Sequence, residues 1–171
     1  MQTITKDSTL ILEGCGDIVV DGVEVGTYNG GLVMTWAENT VYIESDHHRG
    51  RIRAVKMGAV TVAFTTELEQ GNLENIAMAY AIPTSSVLSG ASSKILNLTP
   101  VDETLEHQMV FTSMSSTNND LARTVTLNKV VRVGSTGTTY YRGTKQVYPV
   151  TFEALINSSG TFGSIVDVTA S

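Results

Sequence analysis

The chain has 171 residues, a net charge of −6 and only 16% charged residues, against roughly 25% in an average soluble domain. That length suits one domain with a single buried core, and the acidic balance argues against a surface that condenses on nucleic acid. No apolar run approaches the ~20 residues of a membrane-spanning helix, and one cysteine, Cys15, can neither close an internal disulfide nor build a thiolate zinc site.

Valine, isoleucine and threonine supply 53 residues; their branching at Cβ favours the pleated, half-buried surface of a sheet, so mostly strands are expected. Low charge also leaves surface that neighbours can desolvate cheaply. The amino end, MQTITKDSTLILEGCG, lacks a basic stretch followed by an apolar run, so no secretory signal is expected. Residues 1–16 read as an arm on a single domain spanning 1–171. In IVVDGVEV, Asp21-Gly22 supplies the two positive-φ positions of a tight hairpin turn between short apolar runs. GLVMTWA places Leu32, Met34 and Trp36 on one face, with Trp36 expected in the core.

VYIESD and RIRAVKMG read as a long hairpin whose tip carries His47, His48, Arg49 and Gly50. AVTVAFTTEL follows as a strand with Val60, Val62 and Phe64 facing one way. The period then changes: Leu73, Ile76, Ala77 and Tyr80 fall at i, i+3, i+4 and i+7, which predicts a helix over about 67–81. Thr66 and Glu69 form the expected capping box, and Pro83 ends the helix. Residues 83–105, rich in Ser and Thr, read as a long loop with a short strand near Lys94 to Leu98. Strands resume at HQMVFTS, ARTVTLNKVVRV, TTYYR, QVYPVTFEALI and TFGSIVDV, with the turn-rich MSSTNND between the first two.

Catalytic and cofactor signatures fail on inspection. LILEGCGD starts like a dinucleotide-binding turn, but Val19 stands where the third glycine belongs and a hairpin follows instead of a helix. GTTYYRGTK has five residues between its glycines and Thr144 before the lysine, which spoils a phosphate loop. Adjacent residues on an extended chain point apart, so His47 and His48 do not share a metal easily, even with Asp46 beside them. No Gly-x-Ser-x-Gly elbow is present, and Cys15 has no histidine near it in sequence. The pairs Glu44/Asp46 and Glu67/Glu69 read as solvated charge. No enzyme activity and no cofactor are expected.

The segment DGVEVGTYNGGLVMTWAENTVYIESDHHRGRIRAVKMGAVTVAFTTELEQGNLENIAMAY resembles the tail tube (major tail) proteins of tailed bacteriophages. The likeness lies in an ordered series: an Asp-Gly hairpin, an acidic strand, a Gly-containing polar loop, a Lys-x-Gly turn, and a strand running into Leu73-Glu74-Asn75-Ile76. VTLNKVVRV and QVYPVTFEALINSSGTFGSIVD are similar to the family's closing strands, and the likeness covers about four-fifths of the chain. The resemblance implies a mainly β, sandwich- or barrel-like domain with one flanking α-helix. It also implies a structural subunit of hexameric rings stacked into a hollow tube, located in the virion tail and made in the host bacterial cytoplasm. Implied partners are other copies of the chain, initiator and terminator proteins and a sheath where one exists, with DNA passing the lumen without specific binding. The tube protein of type VI secretion systems, or of another contractile injection system, is the close alternative.

From His47 to Met57 there are four cations, Arg49, Arg51, Arg53 and Lys56, and no carboxylate; the rest of the chain holds 7 basic against 17 acidic residues. A basic hairpin on an acidic subunit is complementary to the next copy in a head-to-tail arrangement. Asp46, His47, His48, Arg49, Arg51, Arg53 and Lys56 are therefore the candidate inter-ring interface, the alternative being a solvated loop. Strand edges around Gly31 to Ala37 and Ala59 to Leu68 are candidates for pairing between subunits. From another class, a carbohydrate-binding or adhesive β-sandwich would need clustered exposed aromatics, for which Tyr140 and Tyr141 are the candidates.

Overall fold

The computed structural model describes residues 12–26, 28–38, 40–45, 50–56, 59–115, 123–138, 142–143 and 145–167. Twelve strands and one α-helix are described: β1 (Leu12–Val20), β2 (Val23–Glu24), β3 (Tyr28–Ala37), β4 (Thr40–Ser45), β5 (Gly50–Lys56), β6 (Thr61–Leu68), α1 (Leu73–Ala79), β7 (Val87–Ser89), β8 (Lys94–Leu96), β9 (Glu106–Ser115), β10 (Arg123–Val133), β11 (Tyr148–Ala154) and β12 (Gly163–Asp167). The main sheet runs β2–β1–β9–β10–β11–β6–β3 with β12 added to β10, and every pairing in it is antiparallel. The molecule is thus mainly β with one helix, as the sequence predicts.

Alternation explains the core. In β11, Tyr148, Val150, Phe152 and Ala154 are buried while the residues between them are not. β6 repeats the pattern with Val62, Phe64, Thr66 and Leu68, and the register sets Phe152 opposite Phe64. Ile18 and Val20 of β1, Met109 of β9, Leu127 and Val130 of β10 and Met78 of α1 join the same cluster. One face of each long strand in the path feeds one core, so the sheet curls around it. β1 and β3, near opposite ends of the path, come into contact, which gives the domain its barrel-like character.

Local chemistry places the turns. The predicted hairpin forms at Asp21 (φ 50°) and Gly22 (φ 78°), with Val20 opposite Val23. The Asp21 carboxylate accepts the Gln108 N–H at 2.8 Å and meets His107 Nδ1 at 2.6 Å, which ties the turn to β9. In β10 the register slips between Leu127 and Val130. The first half of the strand pairs with β12 and the second half with β11.

The helix is shorter than predicted. Thr66 pairs with Val150 of β11, and Glu67 and Leu68 pair in the ladders on both sides of β6; those interstrand bonds hold the chain extended through Leu68. The Thr66–Glu69 box therefore does not form. Asn72 caps α1 instead, its Oδ1 accepting the Asn75 N–H at 2.7 Å. The helix ends before Pro83, at Tyr80 and Ala81, where the Ala77 and Met78 carbonyls accept from Ile82 and Ala81. Ala81 there takes φ 54°, the left-handed closure of a helix end.

Residues 83–105 hold the expected short strand, as β8, which pairs in a small hairpin with β7 after a 3-10 turn at Thr84–Ser86. Of the strand expected at 138–142, Thr138 is irregular and Arg142 lies in a turn, while Thr139, Tyr140 and Tyr141 lie outside the described residues. Upstream, Arg132 donates to the Gly134 carbonyl at 2.6 Å and to Thr136, whose hydroxyl donates to the Pro149 carbonyl at 2.9 Å. This folds residues 134–136 back onto the start of β11 and leaves them no ladder to join.

Candidate functional site

The first candidate surface is a sheet edge. β3 ladders with β6 and, among the described strands, with nothing on its other side. β6 is paired on both sides, by β11 and β3, so of the two candidate edges Gly31 to Ala37 is unpaired on one side among the described strands and Ala59 to Leu68 is not. Between Asn29 and Val33 the register shifts; Gly31 sits there at φ 83°, and its carbonyl accepts from the Thr66 hydroxyl at 3.1 Å. A residue with a Cβ is strained at that angle, which explains glycine in the bulge.

Past the bulge, Met34 stands opposite Phe64 and Trp36 opposite Val62. Both belong to the core-facing side of the sheet, as the alternation predicts. They are nevertheless 39% and 55% exposed, so the expectation of a core Trp36 is corrected: at this edge no described strand closes over that face. Trp36 meets Phe162 edge-to-face at 5.9 Å and donates to Glu38 at 2.9 Å. Beside them a cavity of about 110 Å³ reaches Ile165 of β12. β12 pairs only with β10 among the described strands, and its Ile165 and Val166 are exposed as well.

The second candidate is the predicted basic hairpin. β4 and β5 pair with each other and with no other described strand. Arg51 stands at the register position of Glu44, Arg53 at that of Ile43 and Lys56 at that of Thr40, with a slip between Ile43 and Glu44. Arg51, Arg53 and Lys56 thus share one strand of a hairpin set off from the main sheet. Asp46, His47, His48 and Arg49 lie outside the described residues.

A third surface escaped the sequence reading. Leu73, Ile76 and Tyr80 of α1 face Leu96, Leu98 and Val101 across a groove of about 880 Å³. Leu98 is 74% exposed. An ion pair at 2.9 Å between Lys94 of β8 and Glu74 of α1 fixes one side of the groove, and this hydrogen bond holds the Glu74 carboxyl below the usual carboxylate range. The spacing of Leu96, Leu98 and Val101 was the available signal, but it has meaning only once α1 is placed opposite. A smaller cavity of about 210 Å³ shares Ala81 and Val101 with the groove and is lined by Asp102 and Glu103.

Among the described residues no group of His, Cys, Asp and Glu side chains is arranged to hold a metal, and no helix is long and apolar enough to cross a membrane. The chain matches no protein-family model, and no curated protein matches it.

Proposed function

We propose that the chain is a structural subunit of a phage tail tube that assembles into stacked, hexameric rings forming the conduit for DNA ejection. The observation that carries this reading is the outer edge of β3, which no described strand pairs and which runs uninterrupted from Val33 to Ala37 past its bulge, with Met34 and Trp36 uncovered on its core-facing side. Soluble monomers protect long apolar edges with charges, prolines or bulges. Past its bulge, β3 reads Val33, Met34, Thr35, Trp36 and Ala37, with no charge and no proline. An edge of that kind is completed by a strand from another copy, and a head-to-tail contact of unlike surfaces closes into rings.

The basic β4–β5 hairpin supplies the contact between rings in this reading, and the acidic remainder of the chain lines the lumen with charge that repels DNA phosphates. Initiator, terminator and any sheath protein would engage the same assembly in the virion tail. The alternative, a tube subunit of a contractile injection system, would rest on the same two surfaces. Light scattering after size exclusion tests the edge: the wild-type chain runs above monomer mass, and Val33→Lys/Trp36→Lys shifts it to monomer with an unchanged circular dichroism spectrum. A variant that assembles like wild type overturns the role of this edge. Reversing Arg51 and Arg53 to Glu leaves rings but shortens tubes, as measured by electron microscopy; normal tube length removes the hairpin from the account.

One observation favours a second reading, a carbohydrate-binding module: Trp36 is exposed, and an exposed indole can stack on a sugar ring. A glycan array with hits that Trp36→Ala abolishes would establish it; an array without hits removes it.

A further inference from the structure

We propose that the apolar groove between α1 and residues 94–101 is the seat for the β4–β5 hairpin of a neighbouring copy of the chain. This rests on the tube-subunit reading and adds to it the surface that receives the hairpin. The groove is large enough for a drug-sized ligand, but sites for such ligands set a few converging polar groups in their walls. Here Tyr80 and Thr99 are the only lining residues with polar side chains among those described. The walls call for an occupant that buries aliphatic side chains.

Charge narrows the choice. Where the groove opens into the smaller cavity, Asp102 and Glu103 are exposed and form no ion pair among the described residues. His107 and Arg132 also line that cavity; Asp21 engages His107, while Arg132 is held by the neutral Gly134 carbonyl and Thr136 hydroxyl and keeps its positive charge. At the other side Lys94 is neutralised by Glu74. Two carboxylates against one guanidinium leave the smaller cavity with an acidic excess among the described residues, and the groove's partner should be aliphatic and basic together.

Strands β4 and β5 of this chain match that description, with three cations against the single carboxylate of Glu44. Val41, Ile43, Ile52 and Val55 are interleaved with Arg51, Arg53 and Lys56. The hairpin ladders only with itself among the described strands, and an isolated two-stranded hairpin is marginal in water, so a covering surface stabilises it. Hairpin and groove are different patches of one chain, so the contact is heterologous and repeats from copy to copy.

Site-directed cross-linking of the full chain tests the contact. Two single-cysteine chains are made on a Cys15→Ser background, one with Leu98→Cys and one with Val55→Cys, then mixed and oxidised. The expected result is a mixed disulfide dimer that forms about tenfold less when the groove chain also carries Asp102→Lys/Glu103→Lys. Arg51→Glu/Arg53→Glu in the hairpin chain should restore it. Val101→Cys replaces Leu98→Cys if thermal melting shows that the latter chain is unfolded. Rings or tubes that assemble without the mixed disulfide overturn this inference and leave the tube reading standing. A wild-type chain that remains monomeric, with no mixed disulfide, overturns both.

Discussion

Asn75 is a buried amide in an otherwise apolar environment, and its bonds show why it is there. Its Nδ2 donates to the Val25 carbonyl at 2.7 Å and to the Gln70 carbonyl at 3.2 Å, while its backbone N–H donates to Asn72. The side chain thus joins α1 to the end of the first hairpin and to the link that follows β6. Asn75→Ala leaves two carbonyls without partners, so a loss of about 1–3 kcal/mol is expected in urea denaturation. Ala81 presents the opposite case. It holds φ 54° at the helix end, where glycine avoids the Cβ clash. Ala81→Gly should therefore stabilise the chain by about 0.5–1 kcal/mol, after allowance for the entropy that glycine adds to the unfolded state. A lower melting temperature for Ala81→Gly would show that the Ala81 methyl packs more strongly than its backbone strains.

At the scale of elements, β12 is held by five register pairs to β10 alone among the described strands. One of those pairs is reinforced by a forked contact in which Arg123 Nε and Nη2 donate to the two oxygens of Asp167 at 2.6 and 2.9 Å. That hydrogen bonding holds the Asp167 carboxyl below the usual carboxylate range. A depressed carboxylate favours the folded strand above the pKa of an unpaired Asp, and the benefit is lost as pH falls through the depressed value. Amides of β12 should lose protection against hydrogen exchange as pH falls below the range in which an unpaired Asp titrates, after correction for intrinsic rates, and Asp167→Asn should remove most of that pH dependence. Equal pH dependence in the variant would assign the effect to other carboxylates.

The elements also show where sequence reading succeeds. β11 was legible because its strict alternation and its buried partners in β6 state the same preference. The Asp21-Gly22 turn was legible because two adjacent positive-φ positions have few sequence solutions. The start of α1 was not, because Thr66 and Glu69 satisfy a local capping rule that interstrand pairing overrides. For Trp36 the period assigned the face correctly but carried no information on whether another strand covers it. The α1 groove joins segments some twenty residues apart, and nothing in either segment specifies that they meet.

For the whole molecule, a rolled antiparallel sheet encloses one core and leaves three surfaces unfinished: the β3 edge, the separate β4–β5 hairpin and the α1 groove. Each has a partner type present elsewhere on the same chain, which is the arrangement expected of a subunit that repeats. The electrostatic part of that assembly should weaken with salt, because contacts of Arg51 and Arg53 with carboxylates are screened beyond a Debye length of about 8 Å at physiological ionic strength. The most direct test is negative-stain electron microscopy of the purified chain, concentrated and aged, with light scattering on the same sample. Rings of uniform diameter, or hollow tubes built from them, are the predicted result. A homogeneous monomer at every concentration, with no ring in the micrographs, would contradict the central claim.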